Sequence, residues 1–233
     1  MPIPLKQAIK IGAYVMRQKL KGRERYPLVL MLEPLFRCNL ECIGCGKIQK
    51  PNEILNKNLT IAQCLNAAKE CGAPVVSIAG GEPLMHPEIV EIVEGLIKQK
   101  RYIYLCTNAL LLKNFFGKLP ISPFLTLSIH LDGLEDDHDR IVDQKGVFKI
   151  AVESIREAKK MGYRVTSATT FFEGTTIEQA ETFLDFLNPL GIDGVTLSSA
   201  FRYPDAPDQD HFFGRKRTQE FFKELLEKNK KGR

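Results

Sequence analysis

From residue 28 onward, short apolar runs rich in β-branched residues alternate with stretches whose apolar positions recur every three or four residues. Leu28–Glu33, Val75–Ala79, Tyr102–Cys106, Leu125–His130, Arg164–Thr170 and Gly194–Leu197 read as strands. The stretches from about Thr60 to Cys71, His86–Gln99, Gly146–Met161, Ile177–Leu190 and Arg217–Lys230 read as helices. Thr60 is a suitable N-cap, Pro87 suits a first helical turn, and Gly162 and Gly191 suit helix stops. Strand–helix alternation predicts parallel pairing through right-handed crossovers, hence an α/β fold. Six such units predict an open or partial barrel rather than a closed eightfold one.

Ahead of this array, Leu5, Ala8, Ile9, Met16 and Leu20 gather on one side of a helical repeat, with Lys6, Lys10, Arg17 and Lys21 on the other. The main expectation is a helix that packs its apolar stripe against the domain. The alternative is a helix lying on an anionic membrane surface, and both hold if it borders a lipid-facing entrance. The expected organisation is a basic amphipathic helix over 1–25, a barrel core over 26–213 and a charged C-terminal helix over 214–233.

Composition narrows the class only a little. A hydrophobic fraction of 44% and a charged fraction of 26% are ordinary for a soluble globular protein. No apolar run approaches the roughly 18–20 residues of a membrane span. The net charge of +5 comes largely from the two ends, so it does not indicate nucleic acid. Six cysteines without an export signal point to a reducing, cytoplasmic setting, with peripheral membrane contact left open.

Candidate chemistry falls where the strands end, which is where parallel α/β folds gather ligands. Cys38, Cys42 and Cys45 follow the first strand with the spacing C-x3-C-x2-C. Three thiolates on one loop can hold three irons of a cubane cluster and leave the fourth iron open. Zinc prefers four ligands, and Cys64 and Cys71, seven apart on a helix, make a poor second pair. A disulfide framework suits a small secreted domain instead. After the second strand, Gly80-Gly81 provides either a close backbone approach or a plain tight turn, and Glu82 is either a partner for an amino group or a solvated charge. Thr107 and Asn108 close the third strand and suit a carboxylate or ribose, although Asn there is often a turn residue. Ser128, His130 and Asp132 alternate along the fourth, fitting ribose or substrate contact, while His130 also has a structural reading. His86 and His138 read as structural, the latter in an acidic loop at Glu135–Asp137.

The cysteine loop after strand one, followed by Gly80-Gly81-Glu82-Pro83 after strand two, resembles the radical S-adenosylmethionine enzymes. That resemblance implies a partial (β/α)6 barrel, a [4Fe–4S] cluster on Cys38, Cys42 and Cys45, and S-adenosylmethionine chelated by the open iron. It gives Gly80, Gly81 and Glu82 the methionine amino group. Most members carry an aromatic residue just before the third cysteine, where this chain has Gly44.

Further runs, Glu33–Leu40, Cys45–Ile48, Gly72–Ile78, Tyr104–Leu112, His130–Leu134 and Ala206–Gln209, resemble the adenosylhopane synthase family of hopanoid biosynthesis. This finer resemblance implies addition of a 5′-deoxyadenosyl radical to the alkene of diploptene, with Cys106 donating a hydrogen atom to the product radical. Burial as a small hydrophobe is the other reading of Cys106. Phe124, Phe171, Phe172, Phe201, Phe212 and Phe213 are candidate walls of an apolar substrate cavity. A one-electron donor such as flavodoxin or ferredoxin is implied, as is a further C-terminal region beyond Arg233. The alternatives are a radical enzyme acting on a peptide or nucleotide, and a non-catalytic metal-binding module.

Overall fold

The computed structural model describes residues 3–202, 206–207 and 209–232. Asp208, within the Ala206–Gln209 run, lies outside the described residues. The elements in chain order are α1 (Leu5–Leu20), β1 (Val29–Leu32), α2 (Asn52–Leu55), α3 (Ile61–Cys71), β2 (Val75–Ile78), α4 (Ile89–Lys98) and β3 (Tyr102–Thr107). They continue with β4 (Leu125–His130), α5 (Glu135–Ile141), α6 (Val147–Met161), β5 (Arg164–Phe171), α7 (Ile177–Leu187), β6 (Gly194–Ser199) and α8 (Arg215–Gly232). The six strands pair in parallel in the order β1-β2-β3-β4-β5-β6, the expected partial barrel.

Local chemistry sets the helix ends. Thr60 and Gln63 form a reciprocal capping box on α3, and Thr176 and Gln179 form one on α7. Gly72 and Gly162 close α3 and α6 in the left-handed conformation. The acidic stretch Glu135–Asp137 is the first turn of α5, where carboxylates face the positive end of the helix dipole. His138 is therefore a buried helical residue, not a loop residue.

Strand alternation sorts the sheet into two faces. Leu32, Ile78, Leu105, Leu127 and Val165 share one register row and pack into the main core beneath the helices. The opposite face carries Ser77, Tyr104, Thr126, Ser128, Thr166 and Ser198, all hydroxyl-bearing, beside Met31, Cys106 and Ala168. A smaller core joins Phe171 on β5 to Phe213, and to Phe221 and Leu225 on α8.

Helix α1 departs from the packing expectation. It buries its polar side, with Gln7 and Gln18 turned inward, and leaves Leu5, Ile9, Met16 and Leu20 exposed. Gln7 Nε2 donates to Tyr104 Oη at 3.3 Å, Tyr14 Oη donates to the Pro27 carbonyl at 2.9 Å, and Lys10 Nζ donates to the Lys100 carbonyl. The Lys10 ammonium also sits 5.3 and 5.2 Å from the ring centroids of Tyr102 and Phe124. Polar anchoring outweighs the apolar stripe because the helix covers strand starts that offer hydroxyls, carbonyls and ring faces. Among the described residues, no helix is long and apolar enough to cross a membrane.

Candidate active site

The residues singled out from the sequence converge on the end of the barrel where β1 to β4 finish. The segment leading to the cysteines is pinned first. Arg37 Nη1 donates to Asn58 Oδ1 at 2.7 Å and Nη2 to the Met85 carbonyl at 3.1 Å. Beyond it, the Ile43 amide donates to the Ile141 carbonyl of α5 at 2.8 Å, and the Cys45 amide to the Cys42 carbonyl at 3.0 Å. Gly44 supplies the positive φ of +73° that this turn requires.

Cys38, Cys42 and Cys45 are half-buried, and the first two pack with Leu40, Val142, Val147 and Leu110. Burial pushes the Cys42 thiol up to about 12, with Cys38 and Cys45 adding to the rise. Burial likewise pushes Cys38 to about 11. A metal that displaces these protons relieves that mutual repulsion, so the donor set suits a cationic cluster. Among the described residues, no three His, Cys, Asp or Glu side chains converge on a single-ion site.

The two glycines answer to the cysteine loop. A Cβ at Gly80 would strike the Leu35 carbonyl oxygen, and one at Gly81 would strike the carbonyl oxygens of Phe36 and Arg37. The close approach expected for a ligand is made by the chain itself. The Gly81 amide donates to the Leu35 carbonyl at 3.1 Å and the Glu82 amide to the Arg37 carbonyl at 3.0 Å. Glu82 is 1% exposed, and its carboxylate accepts from the Leu84 amide at 2.9 Å, Thr107 Oγ1 at 2.9 Å and the Asn108 amide at 2.8 Å. Burial still pushes Glu82 up to about 7, against those hydrogen bonds and the nearby His130.

Thr107 and Asn108 are thus engaged inside the protein. Thr107 Oγ1 also accepts from the Ala109 amide at 3.0 Å, and Asn108 Nδ2 donates to Asn39 Oδ1 at 2.8 Å, with Cys38 Sγ at 3.8 Å. Asn108 therefore ties the end of β3 to the cysteine loop. His130 Nε2 lies 2.5 Å from Asp132 Oδ2, and Asp132 Oδ1 accepts from the Thr170 amide at 2.7 Å. Burial lowers His130, but the Asp132 carboxylate, with Glu82 adding to it, leaves the imidazole raised overall. The His138 ring stands 5.6 Å from that of His130, and burial with this neighbour lowers His138 to about 4.

Cys106 lies on the inner face, its sulfur 3.6 Å from Ser77 Oγ and also beside Ser128. Burial pushes its thiol up, so it stays S–H. Cys64 is fully buried in the main core as a packing residue. His86 is held by the Leu59 carbonyl and the Glu88 amide, as expected.

Phe212 gains a role that sequence reading did not assign to it. Its ring occupies the space a side chain at position 44 would need. An aromatic ring thus stands against Gly44, the residue before the third cysteine, supplied from the far end of the chain. No local signal announced this, because the pairing exists only after folding.

A family model described as the Radical SAM superfamily matches residues 32–187. The chain belongs to that superfamily. It uses a [4Fe–4S] cluster and S-adenosylmethionine, and Cys38, Cys42 and Cys45 carry the spacing for the cluster.

Among curated relatives, a probable GTP 3′,8-cyclase of Methanococcus maripaludis is 25% identical over 221 residues, covering 90% of this chain and 73% of the relative. The GTP 3′,8-cyclase of Petrotoga mobilis is 29% identical over 156 residues, covering 64% of this chain and 48% of the relative. The matches thus span about half to three quarters of these relatives. Streptococcus suis SuiB bound to S-adenosylmethionine superposes with a TM-score of 0.71 at 18% identity, covering 92% of this chain and 51% of that one. Methylornithine synthase superposes with a TM-score of 0.64 at 18% identity, covering 97% and 69%. At these identities the superpositions show the fold alone.

The expectation of adenosylhopane synthesis from diploptene is corrected by these relatives, whose names give a nucleotide as substrate. The expected apolar wall is not assembled either. Phe124 stacks on Tyr102 near Lys10 at the strand starts, Phe171 and Phe213 sit in the α8 core, and Phe201 is 60% exposed. Phe172 and Phe212 pack together, with Phe212 against Gly44.

Proposed function

We propose that this chain reductively cleaves S-adenosylmethionine and directs the resulting radical at a nucleotide-class substrate held against the inner face of the sheet. The supporting observation is the lining of that face. Ser77, Thr126, Ser128, Thr166 and Ser198 present hydroxyls where a ribose, base edge or phosphate finds partners, while the Tyr104 hydroxyl is already tied to Gln7 of α1. The Thr166 hydroxyl is buried without a hydrogen-bond partner among the described residues, which favours a polar occupant. The relatives named as GTP 3′,8-cyclases support the same substrate class.

The cluster and S-adenosylmethionine supply, when bound, a 5′-deoxyadenosyl radical after one electron enters from a donor such as flavodoxin or ferredoxin. The chain's own groups hold and shield the site. Asn108 and Arg37 fix the cysteine loop, and Gly80-Gly81-Glu82 sets the methionine amino-group seat beside it. Ser128, His130 and Asp132 stand on the next strand end, where a ribose contact would complete the seat.

Cys106 is the proposed hydrogen-atom donor to a product radical. Its S–H bond breaks as a C–H bond forms, and one electron and one proton then restore the thiol. Burial keeps the hydrogen on sulfur.

The test is anaerobic reconstitution followed by S-adenosylmethionine, a reductant and ribose-deuterated GTP, with a peptide and an apolar alkene as comparison substrates. The expected result is GTP-dependent formation of 5′-deoxyadenosine that carries deuterium. No response to any nucleotide, together with an adenosylated product from the alkene, would overturn the substrate class.

A further inference from the structure

We infer that α1 is an interfacial helix that seats this enzyme on an anionic lipid surface. Residues 5, 9, 16 and 20 fall within one narrow sector of a helix turning 100° per residue. Their side chains, Leu5 (75%), Ile9 (61%), Met16 (61%) and Leu20 (81%), are exposed to those extents. Ala8, Gly12 and Ala13 fill the same exposed face. Lys6 and Arg17 border this stripe on one side and Lys19 on the other, all three exposed. The helix contains no Asp or Glu, and Lys21, Arg23 and Arg25, with Glu24 between the last two, extend a net basic charge beyond its end.

An ordinary surface helix with these residues would turn the stripe inward. Here the inward side is taken by Gln7, Gln18 and Lys10, and bonds to Tyr104, Pro27 and Lys100 hold the helix in that orientation. The outward stripe is therefore a fixed feature of the fold. Ile121, 58% exposed across a groove from Leu5, extends the apolar surface.

Charge decides the occupant. A second copy docking face to face would bring Lys6, Arg17 and Lys19 against their own images, with no acidic residue on the helix to meet them. An anionic bilayer accepts both features at once: the apolar side chains enter the acyl boundary while the basic ones reach phosphate. The inference does not depend on which substrate the barrel takes.

The test is co-sedimentation with phosphatidylcholine vesicles, with and without phosphatidylglycerol, at low and high salt. The wild-type protein is expected to partition onto the anionic vesicles and to be released by salt. Each basic residue near such a surface contributes roughly fivefold in partition, so Lys6→Gln/Arg17→Gln/Lys19→Gln is expected to weaken binding roughly a hundredfold. Ile9→Ser/Met16→Ser/Leu20→Ser is expected to abolish it, while circular dichroism stays unchanged because these side chains are mostly exposed and belong to no buried cluster among the described residues. Equal partition onto neutral vesicles, absence of partition onto any vesicle, or a dimer in sedimentation velocity that the apolar triple variant dissolves would each overturn the inference.

Discussion

Replacing Gly81 with alanine tests whether the two loops of the site are truly one interlocked unit. The added Cβ would lie 2.5 Å from the Arg37 carbonyl carbon and closer still to two carbonyl oxygens. Ordinary carbon contacts begin near about 3.5 Å, so the loops must part by roughly 1 Å. That movement stretches two backbone hydrogen bonds, Gly81 to Leu35 and Glu82 to Arg37, beyond useful range. At about 1 kcal/mol net for each bond, plus partial exposure of Glu82, the expected loss is about 2–4 kcal/mol. Urea unfolding of the cluster-free protein measures it. Iron content after anaerobic reconstitution should fall with it, since the same backbone bonds hold Arg37 next to Cys38. The control is Gly12→Ala, on the exposed face of α1 with no atom within 4 Å, where a stability gain of about 0.5–1 kcal/mol is expected. Gly81→Ala with wild-type stability and full iron loading would refute the interlock.

Three further outcomes are expected. Glu82 titrates near 7 when folded against an ordinary 4.5, so the native state keeps a proton that the unfolded chain has lost between those values. Stability of the cluster-free protein should therefore be full below about pH 4.5 and fall by about 3 kcal/mol by pH 7; Glu82→Gln should remove that slope, read by urea midpoints across the range. Cys106→Ala should leave reductive formation of 5′-deoxyadenosine within about twofold while the quenched product disappears, and an unchanged product profile by mass spectrometry would exclude the donor role. Cys64→Ser should cost about 1–3 kcal/mol by placing a hydroxyl in the main core, with iron content unchanged; iron loss would make Cys64 a ligand.

The strands were legible because a buried parallel sheet writes itself as short apolar runs. β4 begins and ends where its pattern does, and the other strands shift by one or two residues at their ends. The rim was legible for a related reason, since strand ends must carry whatever the helices do not cover. The orientation of α1 was not legible. A helical repeat gives the two faces but not which one meets the domain, and here Tyr104 and the Pro27 and Lys100 carbonyls decide it. Helix α5 was obscured because three successive acids read as loop, although their position favours a helix start. The roles of Thr107 and Asn108 were also hidden. Donors and acceptors at a strand end look available in sequence, and only the fold shows Glu82 and Asn39 already holding them. The substrate was misread because runs such as Glu33–Leu40 and Tyr104–Leu112 resemble the adenosylhopane synthase family, and sequence does not show that the phenylalanines an apolar wall would need scatter among separate cores.

The contact between Phe212 and Gly44 sets a clock on assembly. Strands join the sheet in the order of their synthesis, so the early strands can pair while later ones are still being made, and the cysteine turn gains its tie to Ile141 of α5 before Phe212 exists. At about 5–20 residues per second, the ribosome needs on the order of ten to thirty seconds to pass from the third cysteine to Phe212. Throughout that interval the turn at Gly44 lacks its aromatic cover. Only when the late segment folds back is the space beside Gly44 filled, so the finished cysteine turn is among the last parts of the fold to be completed.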